Sequence, residues 1–192
     1  EKCLRELLNE DELLVRIAAY EALSQRAERV QLAILARERA NDRNRVVTGV
    51  NLRDLELEAR ARLSPGMMQG VARVPIASRF YLDMVEGGPP MIYVTQQGVP
   101  RIVLFGSNPK LVKPSFASAW DNRLLLTAEE SSLPASLYYR DFRTNNVTET
   151  NAPDSIADLI ALMAHTPSPE NPELGLGLSF SETVGALYEI HK

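Results

Sequence analysis

His165 and His191 are the only imidazoles in the 192 residues. A serine or cysteine nucleophile of the histidine-assisted kind would therefore have to sit beside one of these two. Neither lies in a recognisable motif, and both fall near predicted helix ends, where an imidazole interacts favourably with the carbonyl end of the helix. Ser179-Phe180-Ser181 lacks the flanking glycines of a nucleophile elbow. Gly175-Leu176-Gly177 opening onto a helix has the look of a phosphate-cradling turn. However, Phe180 stands where a dinucleotide fingerprint needs its third glycine, and no P-loop lysine follows. Gly87-Gly88 is followed by Pro89-Pro90, which lack N–H donors, so it reads as a turn.

The carboxylates are equally unorganised. Asp83, Glu86 and Glu129 are the candidates for acid–base work, but no spacing joins them into a pair. Glu10-Asp11-Glu12 and Glu129-Glu130 read as solvated charge. A calcium loop starting at Asp141 would need an acid or amide two residues on, where Arg143 stands. Asn146-Val147-Thr148 matches a glycosylation acceptor and marks a surface turn. Trp120, the single tryptophan, reads as a packing anchor. Cys3 is alone, so the chain can build neither an internal disulfide nor a thiolate metal cluster. No catalytic, cofactor-binding or metal-ligating residue is assigned, no cofactor is expected, and the chain is not read as an enzyme.

The elements that would have to position any site are easier to read. With 45% hydrophobic and 24% charged residues the chain can bury a core, and a net charge of -4 with mixed signs offers no field for a nucleic-acid backbone. No apolar run reaches the ~20 residues that a bilayer requires. The expected partners are other proteins or copies of the chain itself, without nucleic acid and without membrane insertion. A start at Glu1 rather than methionine reads as a fragment or processed form.

Leu4, Leu7 and Leu8, then Leu14, Ile17, Ala18 and Ala22, predict a helical hairpin over residues 2–25, broken at Asn9-Glu10-Asp11, with Asn9 and Glu12 placed as a capping box for the second helix. Residues 26–62 carry mixed helix-favouring composition with a solvated charged face, and Ser64-Pro65-Gly66 reads as a loop. Met67 and Met68 read as core gap-fillers. Phe80–Val85, Met91–Thr95, Arg101–Phe105, Leu124–Thr127, Leu137–Phe142 and Val147–Thr150 predict five or six short strands. The Met91 and Arg101 runs pair as a hairpin in which Gly98 supplies the positive φ. Ile156, Leu159, Ile160 and Met163, and then Phe180, Val184, Leu187 and Tyr188, predict two C-terminal helices. Asp154 or Ser155 caps the first, Ser179 with Glu182 caps the second, and an exposed proline-rich loop lies between them. The expected fold is α+β: one antiparallel or mixed sheet with an N-terminal helical hairpin and two C-terminal helices. A helical segment, 1–64, precedes an α+β domain, 65–192, made of a strand block (71–150) and the helix pair (154–192).

Two resemblances accompany this reading. Leu7-Leu8-Asn9-Glu10-Asp11 with Val15-Arg16, Ala18-Ala19 and Ala22-Leu23 resembles one HEAT-type repeat. It is either the last unit of a longer array or a plain hairpin packed on the next domain. Asp158-Leu159-Ile160-Ala161-Leu162-Met163 through Ser181-Glu182-Thr183-Val184-Gly185-Ala186-Leu187-Tyr188-Glu189-Ile190 resembles the C-terminal end of the bacterial flagellar P-ring protein. That resemblance implies a periplasmic or secreted envelope protein that assembles into a ring, without cofactor or active site. The HEAT-like hairpin and the long proline-rich loop depart from that family's pattern, and a cytoplasmic location stays open. The expected function is a non-catalytic structural or assembly module; the alternative is a ligand-binding regulatory domain with a pocket between sheet and terminal helices.

Overall fold

The computed structural model describes residues 2–41, 68, 70–130, 134–169 and 174–191. The mixed pattern from Asp42 to Arg62, the Ser64-Pro65-Gly66 loop, Met67 and Asn171-Pro172 lie outside them. The chain is α+β. Helices α1 (Lys2–Leu7) and α2 (Leu13–Asn41) precede eight strands: β1 (Val71–Ile76), β2 (Phe80–Val85), β3 (Met91–Thr95), β4 (Arg101–Phe105), β5 (Ser115–Ala119), β6 (Leu124–Ala128), β7 (Ala135–Arg140) and β8 (Val147–Ala152). Helices α3 (Ile156–Ala164) and α4 (Phe180–His191) close the described chain.

The strands form two four-stranded sheets, where one sheet of five or six strands was expected. The first has the order β1-β2-β4-β3 and is mixed, because β2 and β4 run parallel while β1–β2 and β3–β4 are antiparallel. The second is the antiparallel meander β5-β6-β7-β8. The two strands missing from the sequence reading, β1 and β5, have weak signals for physical reasons. β1 (VARVPI) carries a proline and a charged residue on an edge, and β5 (SFASA) is built mostly of serine and alanine, which rank low in strand preference.

Strand β4 organises the layers, since all five of its residues are buried. Its side chains alternate between two clusters, as a pleated strand requires. Ile102 and Leu104 face sheet two, α3 and α4, whereas Val103 and Phe105 face Leu8, Ala19, Tyr20, Leu23 and Ala27 of the N-terminal helices and their connection. Full burial of each aliphatic or aromatic side chain contributes roughly 1.5–3 kcal/mol.

The helical hairpin of the N-terminus forms with different details. Asn9 does not open α2: its side-chain amide donates to the Arg5 carbonyl at 3.5 Å, finishing α1, while the Arg16 N–H donates to the Glu12 carbonyl at 3.2 Å. The corner between α1 and α2 rests on the Gly87-Gly88 turn. A Cβ on Gly88, whose φ is +77°, would lie 2.9 Å from the Leu8 carbonyl oxygen. These glycines therefore admit a helix corner as well as making a turn.

The C-terminal caps follow the sequence reading. Ser155 accepts from the Asp158 N–H at 3.4 Å. In the reciprocal box at α4, the Ser179 N–H donates to Glu182 Oε2 at 2.7 Å and the Glu182 N–H donates to Ser179 Oγ at 3.3 Å. The Gly175-Leu176-Gly177 segment serves the end of α3. The N–H groups of Leu176, Gly177 and Leu178 donate to the carbonyls of Leu162, His165 and Met163 at 3.1, 2.7 and 2.9 Å. Carbonyls that a helix leaves without partners are thus satisfied by an extended strap. Only glycine fits at 175, because a Cβ would fall 2.3 Å from the His165 carbonyl oxygen. Gly175→Ala is accordingly expected to lower stability by about 1–3 kcal/mol through forced overlap with backbone. Urea unfolding followed by circular dichroism would measure the loss, and an unchanged midpoint would contradict this account.

Candidate functional site

Two arrangements collect polar groups. The first lies between α2 and the facing side of sheet one. Register places Arg73 of β1 opposite Asp83 of β2, and Tyr81 opposite Arg101 of β4. All four point to the same face by strand alternation. Arg73 grips Asp83 with two bonds, Nε to Oδ1 at 2.7 Å and Nη2 to Oδ2 at 2.6 Å, and the Tyr20 hydroxyl of α2 donates to Oδ2 at 2.5 Å. Asp83 is 0% exposed and Arg73 5%. Arg101 reaches across to α2, donating to Ser24 Oγ at 2.5 Å and Glu28 Oε1 at 3.2 Å, with Glu21 Oε2 at 3.4 Å. Tyr93 donates to Glu21 Oε1 at 3.0 Å, and Arg16 donates to the Pro89 carbonyl at 2.6 Å.

The electrostatics of this cluster are structural. Burial drives the Tyr20 phenol far above its ordinary range, and the adjacent Asp83 charge pushes the same way. For Arg73, burial opposes the charge, but the Asp83 hydrogen bonds and charge outweigh it and hold the guanidinium protonated. Asp83 is fully buried and accepts three hydrogen bonds from within the fold, so this carboxylate is not presented to a substrate. The other two acid–base candidates are elsewhere: Glu86 is exposed just past β2 and Glu129 is exposed just past β6. The three are not brought together. Among the described residues no group of three His, Cys, Asp or Glu could hold a metal.

Asp141, considered above for calcium, is spent on its own turn. Its Oδ1 accepts from the N–H groups of Arg143 and Thr144 at 2.8 and 2.6 Å and from the Thr144 hydroxyl at 2.9 Å, which holds its carboxyl below the usual range. Trp120 is a packing residue. Its ring sits edge-on to Phe142, with centroids 5.4 Å apart, and lies over Gly185 of α4.

The second arrangement is an open groove of about 760 Å³ between β1 with its following turn and one face of α3. Val74, Pro75 and Ile76 form one wall. Asp158, Ala161, Leu162 and His165, spaced i, i+3, i+4 and i+7, form the other, and Leu174 adds an apolar patch. Ala77 and Ser78, both at positive φ, turn the chain so that Arg79 lies at the groove and donates to the carbonyls of Gly177 and Leu178 at 2.8 and 2.9 Å and to Thr166 Oγ1 at 3.1 Å. His165 Nε2 is buried without a hydrogen-bond partner. His165 follows the last turn of α3, as anticipated. What the sequence reading missed was that the second stripe of α3, beside its core stripe of Ile156, Leu159, Ile160 and Met163, lines a groove.

Comparison with protein-family models, curated proteins and solved structures finds no match to this chain.

Two outcomes follow from the buried cluster. Asp83→Asn is expected to cost roughly 3–5 kcal/mol, because it strands Arg73 as an uncompensated buried charge. Replacing both partners with Leu and Met should recover much of that loss in the same urea assay. The raised Tyr20 ionisation makes stability complete below the ordinary tyrosine pKa of about 10 and lost progressively as pH rises beyond it, since the unfolded chain gives up the proton there while the folded chain keeps it. Tyr20→Phe should flatten that alkaline limb, which unfolding free energies measured from neutral pH to above pH 10 would reveal.

Proposed function

We propose that the chain is a non-catalytic structural or assembly module whose partners are other proteins or further copies of itself. The observation that carries this reading is where large apolar side chains remain outside. Val112 is 79% and Phe116 68% exposed on and beside β5, an edge strand of sheet two, and Val147 on β8, the opposite edge, is 48% exposed. Edge strands with apolar side chains are places where chains join. Of the three acid–base candidates, Asp83 is consumed in seating α2 on sheet one, while Glu86 and Glu129 stand apart from it on the surface.

The specific form of the proposal is a component of the bacterial envelope akin to the flagellar P-ring, periplasmic or secreted. It is supported by the likeness of the C-terminal helix pair, now seen as α3 and α4 packed in one cluster with both sheets. No helix among the described residues is long and apolar enough to cross a membrane.

A ligand-binding regulatory domain is the second reading, and the groove between β1 and α3 is what favours it.

Sedimentation velocity over a wide concentration range tests the first reading. The expected result is a mass rising above the 21.4 kDa of one chain, returned to one chain by Phe116→Asp. A single-chain mass at every concentration, alone and with envelope extract added, would sink it.

A further inference from the structure

We infer that the groove between β1 and α3 receives a short extended segment of a partner protein carrying aliphatic side chains next to an acidic one, with the acid at Arg79. This deepens the assembly reading and rests on it in taking a protein segment as the occupant.

Shape is the first argument. The groove is open and bounded by an edge strand and by a helical stripe, two elements between which an extended chain can lie. Val74, 39% exposed, and Leu174, 48% exposed, present aliphatic surface together with Ala161 and Leu162. Pro75 removes one N–H donor from this strand, so a long added strand is disfavoured. The segment is held by its side chains over a short span.

Charge supplies the second argument. Arg79 gives its hydrogen bonds only to neutral oxygens, those of Gly177, Leu178 and Thr166, and among the described residues no carboxylate forms an ion pair with it. A guanidinium fixed by two carbonyls at the rim of an apolar groove keeps its positive charge and its orientation, and a carboxylate is its natural complement. Asp158 on the same wall disfavours a second acid and can accept a main-chain N–H.

Titration calorimetry and ¹⁵N chemical-shift mapping on the full chain would test this with the peptide acetyl-Val-Leu-Val-Glu-Ala-amide and its counterparts carrying Gln or Lys in place of Glu. The Glu peptide is expected to bind with shifts confined to residues 74–79, 158–166 and 174, the Gln peptide about tenfold more weakly, and the preference to shrink with added salt. Ala161→Trp should fill the groove and abolish binding of all three. Arg79→Gln should erase the Glu preference and Arg79→Lys should keep it, with thermal unfolding verifying that each variant is folded. Equal affinity for the three peptides, no binding, shifts elsewhere, or saturation by octanoate but not by the Glu peptide would each overturn the inference. Loss of self-association in Phe116→Asp with peptide binding intact, or the converse in Ala161→Trp, separates failure here from failure of the assembly reading.

Discussion

The ion pair between Arg73 and Asp83 governs how the N-terminal helices meet the rest of the molecule. Two strands supply the charges, and the Tyr20 hydroxyl of α2 supplies a third bond to the carboxylate. Removing such a pair from water costs several kcal/mol per ion, so it persists only where every bond is made. That requirement fixes the position of α2 more narrowly than apolar contact would, because a hydrophobic face tolerates sliding whereas a fork of hydrogen bonds does not. Arg101, bound to Ser24 and Glu28 one to two turns further along α2, repeats the constraint at a second point. Between them the two contacts set both the rotation and the advance of the helix over sheet one.

Much of the fold was legible because local signals agreed with the global outcome. The capping residues of α3 and α4, the β3–β4 hairpin with Gly98 at φ +79°, and the short apolar runs that become β2 and β4 all follow from rules that operate within a few residues. The number of sheets was not legible. It depends on β1 and β5, whose compositions are poor for strands and whose formation is decided by neighbours distant in sequence. The Asn9 signal pointed to the wrong helix, since the same side chain can finish one helix or begin the next, and only the tertiary setting over Gly87 decides.

The candidate sites divide in the same way. That the glycine pair at 175 and 177 is no phosphate cradle could be argued from spacing alone, but its real duty, an extended strap bonded to the end of α3, needed coordinates. Asp83 could be picked out as a charged residue in an apolar strand. Its partner Arg73 lies in a strand that the pattern did not predict, so the pair was invisible. The residues that line the groove beside α3 were hidden for a related reason: one of its walls is β1.

Strand β4 enters between β2 and β3 although it follows both in the chain, and it is hemmed in by neighbours along both edges and by apolar clusters on both faces. No outer layer can be peeled away while leaving this strand's surroundings whole. The helical layer and the second sheet are consequently coupled through the first sheet, with β4 at its centre, and heating should dissolve them in one cooperative step, with the most slowly exchanging amides in the middle of the first sheet.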